Sequence, residues 1–311
     1  MREPLILTEA DVRRLLDLDS LIPAMEKALA AFSSGVVNQP VRAVLDISGR
    51  GAFASMPAYV GGTEILGAKL VSVFPGNVNR GLHTHLATIL LNDAHTGETL
   101  AIMDGRYITE VRTAAVSAVS VRHLARENAS RLGIIGSGVQ ARSHVEMMRR
   151  VRAWTEIGAW SPNRANLERF AGECGVTALS SAEEVARNSD VVVTATPSKL
   201  PVLHNDWVRD GTHLIAVGSC FPDHSEIEAA LVKRSRLVVD SRAAALKEAG
   251  DVLAGIRAGL FGPDHIAGEL GDVLNGSAIG RESAEQITLF KSLGLAVEDI
   301  VSASLVYAAA C

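Results

Sequence analysis

The chain has 311 residues, of which 48% are hydrophobic and 21% are charged. This composition is typical of a folded globular protein of about two domains and excludes general disorder. The net charge of −5, from 35 acidic and 30 basic residues, gives no support for a nucleic acid or an anionic membrane as partner. Three widely separated cysteines, an N-terminus unlike a signal peptide and the lack of any apolar stretch of about 18 residues predict a cytoplasmic protein.

The first third of the chain begins with helices and continues with strands. Thr8 can cap a helix whose first turn carries Glu9 and Asp11, and apolar residues recur at helical spacing over 21–32. After Pro40, segments of β character bounded by glycine-bearing turns predict five strands, at 41–47, 52–59, 66–74, 86–92 and 99–103. Because strands follow strands directly, we expect a largely antiparallel or mixed sheet.

Strands and helices alternate in the rest of the chain. A helical pattern runs from Ile108 to Leu124, and later strands are predicted at 132–135, 156–160, 191–195, 213–217 and 237–240, with a weaker one at 176–179. Such alternation predicts right-handed βαβ units and a parallel sheet covered by helices. The predicted fold class is therefore α/β, with a Rossmann-type parallel-sheet domain and a separate mixed α+β domain, divided near residue 115.

A glycine-rich turn follows the first strand of the predicted parallel sheet. Gly136 permits a tight turn, Gly138 lets the backbone approach a pyrophosphate, and Ala141 keeps the next helix close to the strand. Val139 and Gln140 open that helix, whose N-terminal N–H groups can bind phosphate oxygens. In this strand-turn-helix context the pattern predicts a dinucleotide site, whereas a glycine pattern alone can be a structural turn.

The choice of dinucleotide depends on the end of the next strand. An NAD site usually has an acid there for the ribose 2′-hydroxyl, but this chain has Ser161, Asn163 and Arg164, which suit a 2′-phosphate. NADP is therefore favoured over NAD, although Arg164 can equally be a surface residue at the start of the next helix. Thr196 and Gly218 follow two later strands at their carboxyl ends, where cofactors bind in this architecture.

Six short blocks stand out along the chain: Ser55-Met56-Pro57-Ala58-Tyr59, Gly67-Ala68-Lys69, Phe74-Pro75-Gly76-Asn77, Arg112-Thr113-Ala114-Ala115, the glycine turn with Gln140-Ala141, and Phe290-Lys291-Ser292-Leu293-Gly294. In order and spacing they resemble the ornithine cyclodeaminase/mu-crystallin family, over essentially the whole chain. The resemblance implies hydride exchange between amine and imine at an amino-acid α-carbon, with NAD(P) as cofactor.

The resemblance also implies how the domains are arranged. A substrate-binding and dimerisation domain would comprise 1–115 with 285–311, and a dinucleotide-binding domain would comprise 116–284. The tail, with helix-like segments at 284–293 and 297–309, would thus return to the first domain. A homodimer built on that domain is expected.

Arg42, Lys69 and Arg112 match the family's substrate site. Guanidinium groups can bind the carboxylate of an α-amino or α-imino acid through two hydrogen bonds. Lys69 can hold the carboxylate or move a proton, if burial beside cations lowers its pKa. Thr84 and Thr113 match positions near the nicotinamide in the family.

A metal site is not expected. His83 and His85 stand two residues apart, but no third histidine or convergent carboxylate accompanies them in the sequence. Asn77, in the Phe-Pro-Gly-Asn block, is interpreted as a turn residue that makes local hydrogen bonds.

Cys220 departs from the cyclodeaminase pattern. At the equivalent position the ornithine cyclodeaminases of the family have an aspartate, which would bind the δ-amine of ornithine. A neutral thiol offers no such counterion. The reductases resembling mu-crystallin have a small hydroxyl residue instead, and Asp223 lies three positions further on. The leading hypothesis is therefore NAD(P)H-dependent reduction of a small α-imino acid, with Cys220 at the substrate. The imino acid would be a cyclic ketimine such as a pyrroline- or piperideine-2-carboxylate, or the reaction would resemble that of the family's alanine dehydrogenases.

Two alternatives stay open. One is ornithine cyclodeaminase activity, which converts ornithine to proline and ammonia with NAD. The other is a non-enzymatic binding protein like mu-crystallin, since a fold does not determine a function. Retention of Arg42, Lys69 and Arg112 argues against the loss of chemistry.

Overall fold

Two units make up the chain in the computed structural model, which describes residues 3–311. The first contains the residues up to Arg112 together with Gly294–Cys311, and the second contains Thr113–Leu293. Among the described residues, every helix is too short or too polar to cross a membrane.

The described part of the chain contains the following strands: β1 (Leu5–Leu7), β2 (Val37–Asn38), β3 (Ala43–Asp46), β4 (Ala52–Val60), β5 (Ile65–Val73), β6 (His85–Asp93), β7 (Thr99–Asp104), β8 (Arg131–Ile135), β9 (Glu156–Trp160), β10 (Thr177–Ala178), β11 (Val191–Thr194), β12 (His213–Ala216), β13 (Arg236–Val239), β14 (Ile266–Glu269) and β15 (Thr288–Lys291). Its α-helices are α1 (Glu9–Leu15), α2 (Leu18–Ser33), α3 (Arg106–Leu124), α4 (Val139–Val151), α5 (Arg164–Cys174), α6 (Ala182–Asn188), α7 (Ala229–Arg234), α8 (Arg242–Glu248), α9 (Gly250–Arg257), α10 (Leu270–Leu274) and α11 (Ala296–Ala310).

The first unit is built on a mixed sheet in the order β1-β7-β6-β5-β4-β2, with β3 also paired to β4. β1 runs parallel to β7, and the other neighbouring strands are antiparallel. The sheet is thus mixed and largely antiparallel, as expected from the succession of strands between residues 41 and 103. Side chains of β4 alternate between buried and less buried, which is typical of a sheet with one covered face. Helix α11 lies against β4, β5 and β6, and α2 packs on α11.

The second unit contains a parallel sheet of eight strands in the order β10-β9-β8-β11-β12-β15-β13-β14. The predicted Rossmann-type α/β class is confirmed. From β8 the chain continues to β9 and β10 on one side, whereas β11 and β12 lie on the other. The strand order therefore reverses beside β8, and ligands bind at such a point in this class of sheet.

The helix predicted at 284–293 is wrong. Residues 288–291 form β15, which is fully buried between β12 and β13. This buried strand of four residues shows no alternation of polar and apolar side chains, so periodicity alone cannot distinguish it from a buried helix. The second unit consequently extends to Leu293, and Gly294 begins the return to the first unit.

Candidate functional site

The glycine turn has the geometry of a phosphate cradle. Gly136 has φ +127°, and a Cβ there would lie 2.5 Å from the carbonyl oxygen of Ala195, so only glycine fits. Gly138 is the N-cap of α4 and has no side chain to cap the helix. A Cβ there would meet no atom within 4 Å. Ala141 is fully buried behind the turn. Open space in front of an uncapped helix N-terminus suits a pyrophosphate, so the residues present fit the dinucleotide.

Four further residues predicted for the cofactor lie at the carboxyl ends of neighbouring strands of the parallel sheet. Val139 and Gln140 form the first turn of α4, with the Val139 side chain 44% exposed. Thr196 follows β11 and Gly218 follows β12, and one carboxylate, that of Glu226, accepts hydrogen bonds from both backbone N–H groups at 2.7 Å. The structure thus brings the glycine turn and these two loops to one edge of the sheet.

The three residues predicted to bind a 2′-phosphate lie around the start of α5. The Ser161 hydroxyl accepts a hydrogen bond from that of Ser137 at 2.9 Å. Asn163 is the N-cap of α5, and its side-chain oxygen accepts the N–H of Asn166. Arg164 pairs with Glu168 at 2.7 Å, and both side chains are more than half exposed. Such a pair contributes little free energy, so the guanidinium can turn toward a ligand.

We expect NADPH to bind more tightly than NADH, and Arg164→Ala to reduce the preference about tenfold, because a charge-assisted hydrogen bond to phosphate is lost. Arg169→Ala, which removes another arginine of α5 that contacts Asn166, should leave the preference unchanged. Titration calorimetry with both cofactors measures the effect. Wild-type protein that binds NADH as tightly as NADPH would contradict this prediction.

Lys69 occupies the middle of β5, between Met56 on β4 and Ile89 on β6. Its side chain is only 2% exposed, and its Nζ lies 2.6 Å from Oδ2 of Asp299. A lysine buried in a sheet needs such a partner, because an unpaired ammonium group is costly away from water. Asp299 stands in the first turn of α11, which covers this face of the sheet.

Arg112 is bound by two acids of α11. Its Nε donates to Asp299 at 2.9 Å and its Nη1 donates to Glu298 at 2.6 Å. Arg42 donates from Nη2 to the carbonyl of Gly294 at 3.4 Å. Gly294 has φ +85°, and a Cβ there would lie 2.6 Å from Nη1 of Arg112, so glycine lets the chain pass beside the guanidinium.

The electrostatics of the first unit follow from these contacts. Burial lowers the pKa of Lys69 to about 8, against the opposing effect of Asp299. Burial alone would raise the pKa of Asp299, but Arg112 and Lys69 together hold it below its ordinary value. Three cations, Arg42, Lys69 and Arg112, therefore lie close to the carboxylates of Glu298 and Asp299. Guanidinium and ammonium groups in such a cluster can bind the carboxylate of a small acid.

Sequence reasoning missed Glu298 and Asp299, which are both fully buried. The available signal was a pair of adjacent acids in an otherwise apolar segment, Leu295-Ala-Val-Glu-Asp-Ile-Val301. Acids in the first turn of a helix are usually explained by the helix dipole. Only the folded structure shows that these carboxylates pair with cations from β5 and α3.

The other residues singled out from the sequence occupy different surroundings. Thr84 lies directly before β6, and Thr113 lies within α3 as the first residue of the second unit. Asn77 donates to the carbonyl of His83 at 2.8 Å, as its interpretation as a turn residue requires. Burial, with Lys69 and Arg112, lowers the pKa of His85 to about 4, so it is neutral at pH 7. Within residues 3–311, no group of three or more His, Cys, Asp or Glu side chains has the arrangement of a metal site.

Cys220 is half-buried in the loop after β12, where its Sγ lies 3.7 Å from the carbonyl oxygen of Leu293. The side chain of Asp223 is 76% exposed and lies 3.9 Å from His224. Asp223 therefore lies at the surface of the second unit.

The chain is similar to known proteins over nearly its whole length. The sequence matches the model of the ornithine cyclodeaminase/mu-crystallin family over residues 2–311. It is 42% identical to the ketimine reductase mu-crystallin of Rattus norvegicus, covering 98% of this chain and 97% of that protein. The delta(1)-pyrroline-2-carboxylate reductase of Thermococcus litoralis, solved with NADH and L-proline, is 36% identical with TM-score 0.94, covering 98% and 97%. An archaeal alanine dehydrogenase dimer with bound NAD is 36% identical with TM-score 0.95, covering 99% and 96%.

Proposed function

The chain belongs to the ornithine cyclodeaminase/mu-crystallin family, and we propose that its own substrate is a cyclic ketimine with one carboxylate, such as a pyrroline- or piperideine-2-carboxylate. It is an NAD(P)-dependent oxidoreductase that acts on imino or amino acids. The observation that carries the proposed substrate is the buried cluster in which Glu298 and Asp299 hold Lys69 and Arg112, with Arg42 nearby. Ornithine brings a further ammonium group, which needs a carboxylate of its own.

The proposed site binds the substrate through its carboxylate. Arg112, held in place by Glu298 and Asp299, presents a planar guanidinium with a fixed orientation. Arg42 and Lys69 add the remaining positive charge. Because burial excludes water from Lys69 and Arg112, an ion pair formed there is stronger than one at the surface.

Reduction needs a hydride at the imine carbon and a proton at the imine nitrogen. Bound NAD(P)H supplies the hydride. Lys69 is the proposed source of the proton, since its pKa of about 8 makes the ammonium group a sufficiently strong acid near neutral pH. Asp299, at 2.6 Å from Nζ, keeps the ammonium group in place before the transfer and stabilises its protonated state.

The rate of ketimine reduction is expected to fall as the pH rises through about 8. Lys69 is charged below its folded-state pKa of about 8 and neutral above it, so carboxylate binding and proton donation are both lost at high pH. Lys69→Arg, which stays charged, should move the decline to higher pH while lowering the rate at pH 7. The measurement is kcat/KM against pH, and a flat profile across pH 8 would contradict the role of Lys69.

A substrate comparison tests the proposed function. We expect pyrroline- or piperideine-2-carboxylate to consume one NAD(P)H per imine, and ornithine to release little ammonia. Cys220→Asp should raise ammonia release, because a carboxylate can pair with the δ-ammonium group of ornithine. Cys220→Asn, in which the new side chain has the shape of aspartate but no charge, should not. Robust conversion of ornithine to proline by the wild type with only catalytic NAD would overturn the proposal.

A symmetric homodimer through the first unit is part of the proposal. Val44 and Leu45 of β3 are 51% and 62% exposed, although apolar side chains on a sheet are stabilised when they are covered. A self-complementary contact between two copies would cover them. Light scattering at micromolar concentration tests this, and a monomer would contradict it.

A further inference from the structure

The loop after β12, Gly218–Cys220, is held at each of its residues. The Gly218 N–H donates to Oε2 of Glu226 at 2.7 Å. The Ser219 carbonyl accepts a hydrogen bond from Nζ of Lys291 at 2.7 Å. The Cys220 thiol lies 3.7 Å from the carbonyl oxygen of Leu293.

The groups that hold this loop form a charged network inside the second unit. Lys291, the last residue of β15, is fully buried and pairs with Oδ2 of Asp251 at 2.8 Å. Oδ1 of Asp251 accepts the N–H groups of Glu226 and Ile227 at 2.6 and 2.9 Å. The other carboxylate oxygen of Glu226 accepts from both the N–H and the hydroxyl of Thr196. One ammonium group and two carboxylates thus connect the loops after β11 and β12.

Packing leaves the loop little freedom. A Cβ on Gly218 would clash with backbone atoms of Thr196, and a Cβ on Gly250 would clash with the carbonyl oxygen of His224. The loop therefore follows the network closely, and a change at Lys291 should be transmitted to position 220. Burial alone would lower the pKa of Lys291, but Asp251 and Glu226 raise it above its ordinary value, so the ammonium group stays charged.

We propose that Lys291, through its hydrogen bond to Ser219 and its ion pair with Asp251, is a positioning residue that holds the loop, and with it the side chain at position 220, in one place. Buried ion pairs can often be replaced by apolar residues without loss of stability. An entirely buried lysine that binds a loop carbonyl is better explained by the need to hold that loop in one place. This inference rests on the proposed function, in which Cys220 lies at the substrate.

The experiment compares two variants of one strand. Lys291→Met removes the ammonium group but keeps an unbranched side chain that is one atom shorter. Thr288→Val is the matched control: Thr288 is equally buried in β15, but its hydroxyl contacts His213, Arg281 and Leu124, away from the loop. The readouts are amide hydrogen exchange of segment 217–224, and kcat and KM for a five-membered and a six-membered cyclic ketimine.

Lys291→Met is expected to speed exchange of segment 217–224 at least about tenfold and to lower kcat by about tenfold or more, with a changed ratio of the two ketimines. Thr288→Val should lower Tm but change the exchange and the ratio less than about twofold. If Lys291→Met does not fold, Asp251→Asn should produce the same changes in smaller measure. Equal behaviour of the control and of either test variant would overturn the inference. A wild type that reduces neither ketimine would refute the proposed function, whereas the exchange comparison would still decide whether Lys291 holds the loop.

Discussion

Arg112→Ala is expected to lower kcat/KM for a ketimine carboxylate by about hundredfold or more, because truncating one partner of a buried charge pair costs about 3 kcal/mol. The variant removes the planar guanidinium that would bind the carboxylate of the substrate, and it takes one cation away from Glu298 and Asp299. Most of the loss should be in KM, since carboxylate binding is similar in the ground state and the transition state.

Arg106→Ala is the control for this experiment. Arg106 lies on the same helix, α3, and pairs with Glu9 and Glu110 in the first unit. Its loss should lower Tm through the broken ion pairs but leave kcat/KM within about twofold of the wild type. Steady-state kinetics and thermal unfolding separate the two effects. An Arg112→Ala enzyme with an unchanged KM would show that the carboxylate binds elsewhere.

Gly136→Ala is expected to weaken NADH binding by at least about hundredfold and to lower stability by about 2 kcal/mol or more. Two independent causes act together. The φ of +127° is unfavourable for a side chain, and the new Cβ would lie 2.5 Å from the carbonyl oxygen of Ala195. The turn would have to move, and with it the start of α4.

Gly138→Ala separates cofactor binding from folding. Gly138 has φ −82°, and a Cβ there would meet no protein atom within 4 Å, so Tm should be unchanged. The methyl group would nevertheless stand where the backbone is open to the pyrophosphate, and we expect NADH affinity to fall about tenfold. Calorimetric titration with NADH and thermal unfolding test both variants. Gly138→Ala protein that binds NADH as tightly as the wild type would place the pyrophosphate elsewhere.

Local sequence signals predicted most of the elements. The Thr8 cap, with Asp11 reciprocating, begins α1 as expected, and the strands from β3 to β7 lie within a few residues of their predictions. These elements carry their own periodicity and turn residues, so they could be predicted without tertiary information. The short strands β1 and β2 could not, because two or three residues give no period to read and pairing alone defines them.

The candidate site was predictable only in part. The glycine turn has a local pattern, and Lys69 and Arg112 were identified from the family resemblance. Glu298 and Asp299 depend on contacts between positions more than 180 residues apart in the sequence. No pattern within α11 indicates which strand or helix its acids will meet, so the sequence could not reveal the acids that hold Lys69 and Arg112.

The position of β15 has a consequence for folding. Its pairings join His213 to Thr288 and Arg236 to Thr288, so the middle of the eight-stranded sheet closes only across long stretches of chain. Until β15 inserts, β8 to β12 and the pair β13-β14 are separate pieces with unpaired edges. Pairings of such long sequence separation form slowly and leave strand edges open to other chains. During synthesis, the sheet of the second unit would therefore stay incomplete until β15 has emerged from the ribosome. Chaperone binding would protect the open strand edges most in that interval.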